Sequence, residues 1–156
     1  MSSYAKTGCL HSENMLRRFE IVNDSMQPAL HAGDWVIALP LRGVPKRGAI
    51  IVFDHDDRPG LTLVKRVVGL PGERVAIAGE RIHIDDITFA EPWVGGSTAP
   101  DGAWEVPRDA VFVLGDHRTA STADSRSLGP IELRDVEWRV VARYWPSSRI
   151  GFVGTD

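Results

Sequence analysis

"ERVAIAGERIHIDD", residues 73–86, decides how the fold is read. Val75 and Ile77, then Ile82 and Ile84, recur at every second position on either side of Gly79. A period of two sends successive side chains to opposite faces of a strand, and a glycine between two such runs supplies the tight turn of a hairpin. The same texture extends in both directions. "DWVIALP" (34–40), "GAIIVFD" (48–54), "TLVKRVVGL" (62–70), "AVFVLGD" (110–116) and "WRVVARYW" (138–145) are short apolar runs bounded by Gly, Pro or Asp. Runs of this length between turn formers read as strands, and they follow each other too closely for crossover helices. The expectation is a mainly β fold of mostly antiparallel sheets with few short helices. "EPWVGGSTAPDGAWEVP" (91–107) reads as a long surface loop, and "PIELRDVEWR" (130–139) has room for one helical turn.

A chain of 156 residues suits one domain. The expected division is a polar tail over 1–20, a catalytic domain over 21–148 and a short tail over 149–156. The net charge of −3 and the lack of a dense Lys/Arg run argue against nucleic acid as a partner. Cys9 stands alone, so no internal disulfide is expected. No apolar run approaches the roughly 18–20 residues of a transmembrane helix. The first twenty residues also lack the apolar segment of a secretory signal, and the expectation is a soluble chain.

"IVNDSMQPALHAGDWVI" (21–37) sets Ser25 in a turn between two strand-like runs. A serine hydroxyl needs a base beside it before it can attack a carbonyl. Among the five histidines only His117, next to Asp116, resembles part of a Ser-His-Asp triad. Neighbours in a strand point to opposite sides, however, so Asp116 is badly placed to orient His117. "FDHDDRPG" (53–60) gathers acidic groups in what reads as a solvated turn, and no zinc or calcium spacing occurs, so no metal is expected. Lys65 remains. It lies in a strand with mostly apolar neighbours, where desolvation lowers the ammonium pKa toward the range of roughly 7–8 that suits a general base. The opposing reading has Lys65 and Arg66 alternating outward from an edge strand.

Four blocks, in this order, resemble the type I signal peptidases, membrane-protein processing enzymes built on a serine–lysine dyad. "NDSMQPALHAGDWV" (23–36) resembles the nucleophile segment, and "VKRVVGLPGERV" (64–75) the lysine segment. "RIHIDDITFAEPW" (81–93) resembles the hairpin that runs into Glu-Pro-aromatic. "VFVLGDHRTASTADSRSLGPI" (111–131) resembles the Gly-Asp-Asn-Arg … Ser-x-Asp-Ser-Arg segment, and "VVARYWP" (140–146) the close. The resemblance covers residues 21 to 146 and implies a signal-peptidase-like β-rich catalytic fold.

By that resemblance Ser25 is the nucleophile and Lys65 the general base. The Ser25 backbone N–H and the Asn23 amide are oxyanion donors. Asp124 and Arg126 form a supporting ion pair, Asp116 stabilises its loop, and Met26 and Pro28 lie toward the substrate. The hydroxyl that meets the lysine is Ser121 or Thr122; counting back from Asp124 favours Thr122. No cofactor is implied. The partner is a precursor protein or its signal peptide, cleaved after small residues in an Ala-x-Ala pattern.

Three departures bear on function. Asp24 stands where the family has a small residue, His117 replaces an asparagine, and the segment before Asp124 is one residue longer. The family's membrane anchor is also missing, which leaves the location between the plasma membrane, where relatives act on exported proteins, and a soluble compartment. The chain is then either a naturally soluble relative that matures a dedicated substrate, or one attached to a membrane surface through apolar residues such as Trp93 or to a membrane partner. Two alternatives stay open: a catalytically silent peptide- or partner-binding relative, and a self-cleaving repressor. The second is disfavoured because 24 residues before Ser25 are too few for a DNA-binding domain.

Overall fold

The computed structural model describes residues 5–7, 15–94 and 96–154. Strands β1 (Ala5–Thr7), β2 (Arg17–Ile21), β3 (Trp35–Pro40), β4 (Ile50–Asp54) and β5 (Thr62–Gly69) come first. After them come β6 (Arg74–Ala78), β7 (Arg81–Ile84), β8 (Ile87–Phe89), β9 (Gly102–Glu105) and β10 (Ala110–Leu114). A single helical turn α1 (Ser125–Leu128), then β11 (Ile131–Glu132), β12 (Val136–Trp145) and β13 (Gly151–Phe152) complete the order. Short 3-10 turns cover Leu133–Asp135 and Ser147–Arg149.

The strands form two antiparallel sheets. The larger runs β1-β2-β3-β12-β4-β5-β10-β11 with β13 beside β12, and the smaller runs β8-β7-β6-β9. The 73–86 hairpin forms as read: Val75 pairs with Ile84 and Ile77 with Ile82, with Gly79 in the turn at φ 56°. The helical turn expected in 130–139 is the Leu133–Asp135 turn. The 91–107 stretch is not loop throughout, because Gly102–Glu105 pairs with β6 as a strand.

Strand pairing crosses the expected domain borders. Phe19 on β2 is buried in the core, and Gly151–Phe152 pairs with Ala142 and Arg143, so the sheet takes in residues from both expected tails. Cys9 and His11 lie outside the described residues.

β5 is an interior strand between β4 and β10, and from Leu63 onward it is buried on both faces. Alternation therefore cannot carry Lys65 and Arg66 to solvent: one is wholly buried and the other nearly so. The outward, edge-strand reading of these two residues fails on that topology. Three apolar clusters fill the interior. One of them, built on Phe19, Ile21, Val36, Ile50 and Trp138, also takes in Met26 and Leu30 from the Ser25 loop.

Candidate active site

Ser25 sits in a loop whose two ends are tied together by Ile21 N–H donating to Asp34 O and Gly33 N–H to Ile21 O. Inside it, Met26 and Leu30 drop into the core and pull the turn inward, leaving Ser25 almost wholly buried. Met26 is therefore a core residue beneath the Ser25 turn rather than part of an exposed surface, while Pro28 is exposed. An ion-pair group around buried Asp34 at the loop's far end fastens it further. Asp34 accepts from His31 N–H at 2.9 Å and from Arg143 and Arg149, and Arg143 also donates to Ala29 O at 2.8 Å.

Lys65 reaches this loop from the middle of β5. Its Nζ donates to Ser25 Oγ at 2.8 Å, a contact between residues 40 apart in sequence. The side chain is fully buried, and that desolvation is the largest influence on its pKa. Asp124 and Asp116 pull the pKa up and Arg126 pushes it down, with a net value lowered to about 8. Buried with an opposing cation nearby, the amine gives up its proton far more readily than a solvated lysine.

The second wall is the turn from Gly115 to Arg126. His117 N–H donates to Ser25 O at 2.9 Å, so the Ser25 carbonyl is held by this turn. The His117 side chain is exposed and plays no part in that contact. Asp116 receives both ends of the Arg66 guanidinium, at 2.8 and 2.7 Å. Asp124 accepts from Arg126 at 3.0 and 2.8 Å, from Gly115 N–H at 3.1 Å and from Ser121 Oγ at 2.8 Å. Burial works against the Asp124 charge, yet these donors outweigh it and hold the carboxyl below its ordinary value.

Of the two hydroxyls left open by spacing, Ser121 is the buried one. It bonds Asp124 and packs against Gly115, whereas Thr122 is exposed. Counting favours Thr122, whereas burial favours Ser121. Ala123 turns into the core, and its neighbour Thr122 is carried outward.

Asn23 also departs from expectation. Its Oδ1 accepts the Ser25 N–H at 3.1 Å, so the expected backbone oxyanion donor is engaged within the loop. Its Nδ2 is buried with no hydrogen-bond partner among the described residues. Asp24 directs a carboxylate oxygen to Ala32 N–H at 3.2 Å. Trp93 is only partly exposed: it packs on Phe89 at 5.8 Å and lies under the Arg66 guanidinium at 5.0 Å. It is therefore a poor membrane contact. No group of residues suited to a metal ion occurs among the described residues.

A buried serine beside a buried lysine is the arrangement the four sequence blocks pointed to, and comparison with known proteins gives it a family. The profile described as signal peptidase, peptidase S26, matches residues 9–145. The chain belongs to this family. It is accordingly a serine-type endopeptidase. A signal peptidase I of Leptolyngbya laminosa is 35% identical over 147 residues, covering 86% of this chain and 71% of the relative. One from Bacillus caldolyticus is 31% identical over 152 residues, covering 86% and 82%. The crystal structure of a signal peptidase I from Enterococcus faecalis V583 superposes with a TM-score of 0.52 at 29% identity. That match covers 59% of this chain and 92% of the other.

Four residues that pattern reading left out belong to the same neighbourhood. Arg66 pairs with Asp116, Arg118 and Glu91 pair with each other, and Gly115 leaves the space that Ser121 and the Ser25 carbonyl occupy. A glycine directly before the Asp116 block was the one signal in the sequence, since close approach of two backbones demands a residue without Cβ.

Proposed function

We propose that this peptidase cleaves signal-peptide-like segments from precursor proteins by nucleophilic attack of Ser25, with Lys65 as general base. The observation that carries this reading is the 2.8 Å contact between Lys65 Nζ and Ser25 Oγ, both buried. Neutral Lys65 accepts the Ser25 proton as Oγ bonds to the scissile carbonyl carbon. The resulting lysine ammonium returns the proton to the departing amine as the C–N bond breaks. Water then repeats the sequence on the acyl-enzyme, with Lys65 as base and Ser25 as leaving group.

Charge gathers on the carbonyl oxygen in each half. Asn23 Nδ2, buried and without a partner among the described residues, is the donor we assign to it, and the Ser25 N–H joins by exchanging Asn23 Oδ1 for the oxyanion. Asp124 and Ser121 hold the wall behind the lysine, with Arg126 balancing the carboxylate. A substrate with small residues one and three positions before the cut would lie extended, adding a strand to the site.

We further assign a bilayer surface as the setting. Trp145, Ile150 and Phe152 are exposed at the β12–β13 end, Phe152 at 93%. Aromatic and apolar side chains at one end of a domain favour the membrane–water interface. Among the described residues no helix is long and apolar enough to cross a membrane.

Cleavage of an Ala-x-Ala peptide by wild type, Ser25→Ala and Lys65→Ala tests the reading. Ser25→Ala should fall to background, and Lys65→Ala should lose about 10²–10⁴-fold, the usual contribution of a general base. Full activity in either variant would overturn the assignment.

A further inference from the structure

We infer that Glu91 and Arg118 are positioning residues for the catalytic turn: their buried ion pair lets the smaller sheet hold Gly115–Arg118 against the Ser25 carbonyl. This rests on the Ser25–Lys65 reading and extends it to residues that touch neither substrate nor dyad.

Four contacts carry the inference. Arg118 Nε donates to Gly115 O at 2.7 Å, and its Nη1 donates to Glu91 Oε2 at 3.0 Å and to Thr98 Oγ1 at 2.6 Å. Its Nη2 donates to Glu91 Oε1, and the two side chains are only 4% and 8% exposed. Glu91 and Thr98 lie within the segment that leads from β8 to β9, so they belong to the smaller sheet's connection rather than to the catalytic turn. Arg118 is thus the bolt between two parts of the fold. The same segment gives Ala99 O to Arg126 at 2.7 Å and sets Trp93 under Arg66, so it reaches all three arginines around the site.

The turn that Arg118 grips has almost no slack. The Gly115 backbone lies so close to Ser121 and to Ser25 O that an added Cβ would meet them at 2.2 and 2.8 Å. One residue from Arg118, His117 N–H holds Ser25 O. Loss of the Glu91 carboxylate leaves a buried guanidinium unpaired while it still holds Gly115 O. Relief of that charge moves the turn that carries both Ser121 and the grip on Ser25. A shift near 1 Å at the reacting atoms can cost about a hundredfold in rate.

The segment also borders an open cavity of about 270 Å³, lined by Ile82, Phe89, Glu91, Val94 and Thr98 among others. In a Glu91→Ala enzyme this cavity is a route by which formate can reach the vacated carboxylate site. Chemical rescue therefore separates a missing carboxylate from general loosening of the fold.

The experiment measures kcat and KM per folded molecule for wild type, Glu91→Ala and Thr98→Val on the Ala-x-Ala peptide, with and without formate. Urea melts supply the folded fraction. Glu91→Ala should lose about tenfold to a hundredfold in kcat with KM within about twofold, and formate should restore part of kcat. Should Glu91→Ala fail to fold, Thr98→Val, which removes only a neutral partner of Arg118, should still lower kcat a few-fold at unchanged KM. Wild-type kcat per folded molecule in the folded variants overturns the inference, as does a loss of kcat that formate leaves untouched. If Ser25→Ala retains activity in the same assay, the dyad reading has failed instead.

Discussion

Gly115→Ala places one methyl group where the structure leaves no room for it. The new Cβ would lie 2.2 Å from Ser121 Oγ, 2.3 Å from Ser121 Cβ and 2.8 Å from Ser25 O. Ordinary contact begins at 3.4 Å, so the neighbours must retreat by about 1.2 Å at Ser121 and about 0.6 Å at Ser25. Neither moves freely. Ser121 is buried and bonded to Asp124, and Ser25 O is main chain held by His117 N–H. Overpacking of a filled interior costs about 1–3 kcal/mol. The predicted stability loss is toward the upper part of that range, because the Ser121 side chain is buried and bonded to Asp124 and the Ser25 contact is backbone. Activity should suffer more than stability, with about a hundredfold fall in kcat for displacement on this scale. Urea denaturation and steady-state cleavage of the Ala-x-Ala peptide read the two quantities. Adding Ser121→Gly removes two of the three clashes and should recover part of the stability but little activity, since Asp124 then lacks its hydroxyl donor. A Gly115→Ala enzyme with wild-type kcat would show that this turn does not govern the placement of Ser25.

Lys65→Met should stabilise the fold while ending catalysis. Folding lowers the Lys65 pKa from 10.5 to about 8, so the folded state binds the proton more weakly than the unfolded chain. The penalty, about 3 kcal/mol at 1.36 kcal/mol per unit, is complete below pH 8, shrinks as pH rises from 8 to 10.5 and is gone above that. Less the lost bond to Ser25, about 1 kcal/mol, Lys65→Met should gain about 2 kcal/mol at pH 7 and lose up to about 1 kcal/mol near pH 10.5, read from urea melts across that range. For cleavage the sign runs the same way: the base must be neutral, so kcat/KM should rise tenfold per pH unit below 8 and level off above it. Asn23→Ala should lower kcat by about a hundredfold to a thousandfold with KM little changed, the cost of one oxyanion donor. Trp145→Ser with Phe152→Ser should abolish sedimentation with lipid vesicles while leaving cleavage of a soluble peptide intact.

Much of the architecture was legible because it depends on local pattern. The hairpin around Gly79 and the runs that became β3, β4, β5, β10 and β12 each carry alternation or apolar density between turn formers. β9 was hidden, since it begins with a glycine inside a stretch rich in Gly and Pro. Period-two reasoning misled at Lys65 and Arg66 because β5 is covered on both faces, and a strand with two buried sides has no outward position. The dyad could be paired only through the family resemblance, as nothing local links residues 40 apart. Ser121 and Thr122 could not be separated by counting, because an irregular turn decides which side chain faces in. The Glu91–Arg118 pair spans 27 residues and two sheets, so no spacing rule reaches it.

The central claim is that Lys65 is held as a usable base against Ser25. Titration of ¹³Cε-labelled Lys65 by NMR in the full chain measures this directly. The account predicts a midpoint of about 8, set by burial, with the resonance moving when Ser25 is replaced by alanine. A midpoint near 10.4, the value of a lysine in water, would contradict it.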